Sequence, residues 1–328
     1  MSTLPKVLLM HSILEPGPAL LAEGCEVVPF PSNQPLDEEH IKQAVESNQA
    51  VGILSQVMDP IGATVLSASG LKIVAQVAVG YDNVDLKAAT ENHVMVTNTP
   101  GILDETTADF AFTLMMSVAR RVVVADNFVR GGNFKGWEID MMLGQDVQHA
   151  TLGIVGIGRI GRAVARRAKG FNMRVLYSDP NPLLPDVERE MGVARADLST
   201  LLSESDFISL HVPLNDSTQH LISTREFELM KPTAILVNTS RGPVLDESAL
   251  VEALKSHRIF GAGLDVYERE PAIHPGLLAL RNVVLAPHIA SASTRTRAEM
   301  CAVAARNLLT GLRGGRPANL LNTEVTAK

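Results

Sequence analysis

The stretch TLGIVGIGRIGRAVARRA, residues 151–168, decides the fold. Its core, Gly156-Ile157-Gly158-Arg159-Ile160-Gly161, is a GxGxxG that follows an apolar run and opens an alanine-rich helical pattern. The first glycine permits a tight turn. The second lets the backbone approach a pyrophosphate, and the third lets the helix pack close to the strand. The helix start offers unpaired N–H groups and the positive end of its dipole. A second apolar run, Arg174–Ser178, ends at Asp179, 18 residues beyond Gly161. An acid about 20 residues on is the expected acceptor for a ribose 2′-hydroxyl. The run therefore reads as the start of a dinucleotide-binding βαβ unit.

Composition fits an ordinary globular chain. Its 328 residues suffice for two domains, and 46% are hydrophobic against 20% charged. A net charge of −7 argues against nucleic acid as a partner. The two cysteines form no CxxC, and no histidine cluster has metal-ligand spacing, so neither a disulfide framework nor a metal is expected. The opening MSTLPKVLLMHS lacks the layout of a signal peptide, and no apolar run approaches the roughly 20 residues that span a bilayer. A cytoplasmic protein is expected.

The glycine motif begins only after 150 residues, so another unit precedes it. Apolar runs at 6–10, 25–30, 50–54, 72–76 and 94–96 alternate with amphipathic stretches such as 37–47 and 64–69. That alternation predicts a parallel sheet. A long apolar helix is predicted over 105–121, a second over 122–130, and a loop over 131–146 that carries Trp137. Strands recur at 206–210, 234–238, 260–264 and 283–285, giving a six-stranded doubly wound sheet over 151–287. The last helix, 294–311, is expected to return to the N-terminal unit. The predicted class is α/β, with two flavodoxin-like or Rossmann-like parallel-sheet domains. The nucleotide domain (99–288) is inserted in a substrate domain made of 1–98 and 289–328.

Three polar residues each follow a predicted strand: Arg241 after 234–238, Glu270 after 260–264, and His288 after 283–285. Open α/β sheets bind ligands at the carboxyl ends of their strands. Histidine exchanges protons near neutrality, a neighbouring carboxylate fixes its tautomer, and arginine grips a carboxylate while polarising an adjacent carbonyl. Hydride transfer to a 2-oxo acid uses that set.

These residues carry a family resemblance. The chain resembles the NAD-dependent D-2-hydroxyacid dehydrogenases through VGYDNVDLKAA (79–89), TPGILDETTADFAFTLMMSVAR (99–120), GIVGIGRIGRAVA (153–165), HVPLNDSTQHLI (211–222), LVNTSRGPVLDESALVEAL (236–254), GLDVYEREP (263–271) and APHIAS (286–291). The resemblance implies that Arg241 binds substrate, that His288 is the acid/base and that Glu270 is its partner. It implies that Arg159 and Ile160 offer N–H groups to the pyrophosphate between Gly156, Gly158 and Gly161. Asp179, Val212, Pro213, Thr218, Thr239 and His288 would line the cofactor, Thr107 would lie near the nicotinamide and Asp265 would hold its carboxamide. Leu54, Ser55, Val79, Gly80 and Ser291 would contact substrate, with Val79 and Gly80 receiving its carboxylate. A homodimer built through the nucleotide domain and the long helix is implied as well.

Asp179 favours NAD, as NADH, over NADPH, because its charge repels a 2′-phosphate. Within the family the chain is most similar to glyoxylate/hydroxypyruvate reductases, on LSQVMD (54–59) and on 99–120. Phosphite-type members place a lysine where this chain has Val79. Some glyoxylate/hydroxypyruvate reductases project a tryptophan from the 137–143 loop into the neighbouring site. Met141 or Met142 stands at that place here, and Trp137 is expected to pack within the fold. The slimmer methionine leaves 2-ketogluconate, or another 2-oxo acid, as an alternative substrate. A more distant alternative is an NAD-sensing corepressor-like scaffold without turnover.

Overall fold

In the computed structural model, which describes residues 4–325, the chain forms two contact-dense units. One runs to Leu103 and resumes at Ala292; the other is Asp104–Ser291.

In the first unit the strands are β1 (Lys6–Leu9), β2 (Glu26–Pro29), β3 (Gly52–Ser55), β4 (Ile73–Gln76) and β5 (Met95–Thr97), with helices α1 (Gly17–Ala22), α2 (Glu38–Asn48), α3 (Ala63–Leu66) and α4 (Leu86–Glu91) between them. They form one parallel sheet in the order β2-β1-β3-β4-β5. Every residue of β3, β4 and β5 is buried, as expected for parallel strands covered on both faces. Aspartates start two of the helices: Asp37 accepts the His40 N–H and Asp85 accepts the Ala88 N–H, which satisfies donors that a helix start leaves unpaired.

The second unit opens with α5 (Asp104–Ala119) and α6 (Val122–Arg130). Next come β6 (Thr151–Val155), α7 (Arg159–Ala168), β7 (Arg174–Ser178), α8 (Pro185–Met191), β8 (Val193–Arg195) and α9 (Leu198–Glu204). It continues through β9 (Phe207–Leu210), α10 (Thr224–Leu229), β10 (Ile235–Asn238), α11 (Glu247–Lys255), β11 (Gly261–Leu264), α12 (Pro275–Leu278) and β12 (Val283–Leu285). The parallel sheet has the order β12-β11-β10-β9-β6-β7-β8, with seven strands where the sequence suggests six. The extra strand, β8, is a three-residue edge with only Val193 buried, too short to leave a periodic signal. Residues of α5 and α7 pack on one face of the sheet and residues of α9, α10 and α11 on the other. Strand order reverses between β6 and β9, so the β6–α7 turn stands at the switch point where such sheets bind ligands.

Charge fixes α5 against α7. Arg159 Nε donates to Asp104 at 2.7 Å, Arg167 Nε to Asp109 at 2.7 Å and Arg167 Nη1 to Glu105 at 2.8 Å; Arg166 also pairs with Glu105. Exposed pairs contribute little singly, but this ladder sets the register of the helix that begins at the glycine turn.

The last helix, α13 (Thr294–Leu312), belongs to the first unit. Its Ala304, Ala305, Leu308 and Leu309 are buried with Val7, Leu54, Ile73 and Met95. The unit boundaries fall at 103/104 and 291/292, a few residues from the sequence-derived 98/99 and 288/289. Local hydrogen bonds account for this. Thr99 N–H bonds the Ala78 carbonyl in the first unit, and Ile289 and Ala290 N–H groups bond Asp265 in the second.

Candidate active site

The β6–α7 turn has the shape its glycines suggest. Gly156 has φ +94°, a left-handed conformation that favours glycine, and a Cβ there would lie 2.8 Å from the His211 carbonyl carbon. A Cβ on Gly161 would lie 2.2 Å from the Gly156 oxygen, so helix and strand approach as closely as backbone allows. Gly158, the N-cap of α7, has no atom within 4 Å of where its Cβ would be. The space in front of the helix start is therefore open.

Asp179 sits at the end of β7. Its Oδ2 accepts the Ile157 N–H at 2.9 Å, and its Oδ1 accepts the Asn181 N–H at 2.8 Å. The acid thus braces the glycine turn as well as standing where a ribose is expected. Arg195, at the end of β8, donates from Nη2 to the Asp179 carbonyl at 3.2 Å, a nearby cation that sequence spacing does not reveal.

Beyond β9, Val212 and Pro213 lead into a loop closed by Thr218, whose Oγ1 donates to the Pro213 carbonyl at 2.6 Å. His211 Nε2 lies 2.8 Å from Ser209 Oγ, and burial pushes this imidazole down to about 4, so it is neutral. Its Nδ1 and the hydroxyl of Thr239 are buried without a hydrogen-bond partner among the described residues. Buried polar atoms without partners are rare in folded chains. With the open glycine turn, these orphaned atoms fit a bound dinucleotide at the switch point. Thr107 is buried on α5.

Arg241, Glu270 and His288 follow β10, β11 and β12, three successive strands at one end of the sheet. Arg241 is extended. Its carbonyl accepts from Asn238 Nδ2 at 2.9 Å, and its Nη1 donates to the Ser240 carbonyl at 2.9 Å. His288 Nδ1 lies 2.9 Å from Glu270 Oε2. A carboxylate there accepts, so Nδ1 carries a proton and Nε2 is the nitrogen that exchanges one. Glu270 Oε1 accepts the Tyr267 N–H at 2.9 Å. Burial raises the Glu270 pKa. The hydrogen bond and charge of His288, the Tyr267 N–H and the charge of Arg241 outweigh it, and the carboxyl lies below the usual glutamate range.

Asp265, which the resemblance assigns to the carboxamide, also does work that sequence spacing does not signal. It is fully buried; its Oδ1 and Oδ2 accept the N–H groups of Ile289 and Ala290, each at 2.7 Å, and its carbonyl accepts the His288 N–H at 2.8 Å. His288 has φ +54°, a strained conformation for a residue with a Cβ, and these three bonds hold it there. Ser291 follows, half-buried.

In the first unit, Leu54 and Ser55 end β3 and are buried, and Val79 and Gly80 follow β4. Ser55 Oγ donates to Gln76 Oε1 at 2.6 Å, and Gln76 Nε2 donates to Asn83 Oδ1 at 2.7 Å. This network ties the ends of β3 and β4 together.

Trp137 departs from expectation. It is 78% exposed, so it does not pack within this chain. The loop around it makes no core of its own, and Phe134, Ile139 and Leu143 are exposed with it. Among the described residues, no group of three or more His, Cys, Asp or Glu could hold a metal ion.

The chain is similar to known proteins over nearly its whole length. Residues 112–290 match the family described as "D-isomer specific 2-hydroxyacid dehydrogenase, NAD binding domain". The chain is 53% identical over 325 residues to a glyoxylate reductase of Korarchaeum cryptofilum, covering 98% of this chain and 97% of that one. It resembles a crystal structure of a protein from Thermus thermophilus with a TM-score of 0.88 at 43% identity, over 96% of this chain and 99% of that one. A third relative, at 30% identity and a TM-score of 0.88, is an NADPH-dependent glyoxylate/hydroxypyruvate reductase from Sinorhizobium meliloti solved with NADP and malonate; 99% of this chain and 98% of that one are covered.

Proposed function

We infer the activity from one premise: the chain belongs to the D-isomer specific 2-hydroxyacid dehydrogenase family. It is an NAD(P)-dependent dehydrogenase. On this reading it reduces glyoxylate or hydroxypyruvate to the corresponding 2-hydroxy acid. The observation that carries the reading is the Glu270–His288 pair, set beside Arg241 on three adjacent strand ends of a nucleotide-binding sheet. The K. cryptofilum relative, a glyoxylate reductase by name, supports the choice of substrate over 2-ketogluconate.

In this proposal the N–H groups of Arg159 and Ile160 take the pyrophosphate across Gly156, Gly158 and Gly161, and Asp179 takes the ribose. Val212, Pro213 and Thr218 line the cofactor, with Thr107, Thr239 and Asp265 at its nicotinamide end. When bound, the dihydronicotinamide supplies a hydride to the carbonyl carbon. Arg241 grips the substrate carboxylate and polarises the carbonyl. Protonated His288 gives the Nε2 proton to the carbonyl oxygen, and Glu270 keeps the ring oriented. The backbone at Val79 and Gly80 is assigned to the substrate carboxylate, and Leu54, Ser55 and Ser291 to further substrate contacts.

Asp179 favours NADH. The Arg195 guanidinium beside its carbonyl favours a second reading, use of NADPH, because a guanidinium can pair with a 2′-phosphate. Initial rates with both cofactors decide: a kcat/KM ratio for NADH over NADPH well above one supports the first, and below one the second.

The exposed apolar side chains of α6 and its following loop, Val122, Val123, Val129, Phe134, Trp137 and Ile139, support a homodimer through the second unit. Light scattering on the purified chain tests that state. No helix among the described residues is long and apolar enough to cross a membrane. A cytoplasmic location is part of the proposal, and fractionation of the source cells tests it. Turnover of glyoxylate and hydroxypyruvate against a panel with pyruvate, 2-ketogluconate and phenylpyruvate tests the activity. A corepressor-like scaffold would turn over none.

A further inference from the structure

Two segments carry the proposed chemistry, one from β10 to α11 with Arg241 and one from β11 onward with Glu270. They are fastened together at three places. Gly242 packs directly on the second segment: a Cβ there would lie 1.9 Å from the Tyr267 carbonyl carbon. Glu247 and Glu268 exchange hydrogen bonds reciprocally. Glu247 N–H donates to Glu268 Oε2 at 3.0 Å, and Glu268 N–H donates to Glu247 Oε1 at 2.9 Å. His220 spans both segments, its N–H on the Pro243 carbonyl at 2.7 Å and its Nε2 2.6 Å from Glu268 Oε1.

The arrangement is costly, which makes its presence informative. Two carboxylates stand side by side, and Glu247 is 4% exposed. Burial pushes the Glu247 carboxyl above the usual range and the charge of Glu268 adds to it, although the N–H groups of Glu268 and His274 pull the other way. A residue used only to begin α11 needs no burial against a second acid. Local rules are broken in this way where a site needs an exact shape.

We propose that Glu247 and Glu268, with His220, form a clasp that sets Arg241 and Glu270 in register, and that Glu247 is its central positioning residue. In this proposal the clasp acts on the site from outside it. It acts through Tyr267, whose N–H holds Glu270 Oε1, two residues from the Arg269–Ala272 turn. If Glu247 cannot accept the Glu268 N–H, the 267–270 segment drifts from the Arg241 segment and Glu270 no longer meets His288 squarely. Small misplacements of this kind cost about 100-fold in rate. The inference rests on the functional reading above for its kinetic consequence, and on geometry alone for its effect on Glu270.

The test uses the full chain with Glu247→Ala, Glu247→Asp and Glu247→Gln. Glutamine keeps an oxygen for the Glu268 N–H; alanine has none, and aspartate is one methylene short. Two quantities are read: kcat/KM for glyoxylate with saturating NADH, and the midpoint of the Glu270 carboxyl titration by 13C NMR. The charges of His288, Arg241 and Asp265 act on that carboxyl and are unaltered, and the glutamine variant controls for loss of the Glu247 charge itself. Alanine and aspartate lower kcat/KM by about 10- to 100-fold and move the Glu270 midpoint up, while glutamine stays within about threefold of wild type and leaves the midpoint in place. The aspartate variant carries the test if the alanine variant does not fold. A lowered melting temperature with kcat/KM and the midpoint unmoved overturns the proposal, as does a glutamine variant as impaired as alanine. If wild type turns over no 2-oxo acid, the functional reading fails by itself, and the Glu270 midpoint then decides the clasp alone.

Discussion

Glu270 divides its carboxylate between two donors, His288 Nδ1 at 2.9 Å and the Tyr267 N–H at 2.9 Å. The backbone bond fixes where the carboxylate stands, and the side-chain bond passes that position to the imidazole. Glu270 therefore orients the His288 ring, while Asp265 holds the backbone that carries it.

Replacing His288 by asparagine removes the proposed proton donor and leaves a polar group of moderate size. Reduction should fall about 100- to 10,000-fold in kcat, the range set by general acid catalysis. The Kd for NADH, read by quenching of its fluorescence, should stay within about threefold, because the glycine turn and Asp179 are untouched. A variant with a kcat near wild type would remove His288 from the mechanism.

Glu270 predicts a pH dependence of stability. Its folded-state pKa is lowered despite burial, by the hydrogen bond and charge of His288, the Tyr267 N–H and Arg241. A carboxyl of this kind stabilises the fold above its unfolded value, about 4.3 for glutamate, and loses that contribution as pH falls through its folded value. Melting curves of wild type and Glu270→Gln should therefore differ most near about pH 6, and the gap should narrow on acidification below the ordinary glutamate range. A gap that stays constant contradicts the assignment.

Arg241→Lys keeps the charge and loses the planar fork. A point charge cannot grip a carboxylate bidentately and also face the adjacent carbonyl. An increase in KM for the 2-oxo acid of at least about tenfold is expected, with the KM for NADH unchanged. Equal effects on both would place Arg241 elsewhere in the scheme.

The three glycines of the turn should separate. Gly161→Ala meets the Gly156 oxygen and Gly156→Ala meets the His211 backbone, so both should destabilise the fold by about 1 to 3 kcal/mol. Gly158→Ala meets nothing within 4 Å, so its stability should stay within about 0.5 kcal/mol of wild type. Its KM for NADH should rise at least about tenfold, because a methyl group then occupies the space assigned to the pyrophosphate. A Gly158→Ala enzyme with normal NADH affinity would move the cofactor away from the turn.

The legible parts of the sequence were those whose chemistry is local. The glycine turn, the strand before it and the acid after it are consecutive, and Arg241, Glu270 and His288 each announce themselves by following an apolar run. What spacing could not show are groups that act through another segment's backbone. Asp265 bonds N–H groups of residues 24 and 25 positions away, and Glu247 meets Glu268 across 21. No periodicity encodes such a pairing. Strand β8 was hidden for a different reason: at an edge a three-residue strand needs only one buried side chain. Trp137 misled because a large aromatic is usually buried, whereas here it stands on an exposed loop with Phe134 and Ile139.

The most direct test of the central claim is the oxidation of NADH by the purified chain in the presence of glyoxylate and of hydroxypyruvate, with His288→Asn run in parallel. Steady turnover is expected with one or both acids, faster than with pyruvate, 2-ketogluconate or phenylpyruvate, and abolished or nearly so in the variant. Turnover in wild type that is absent with both acids, or equal in His288→Asn, would contradict it.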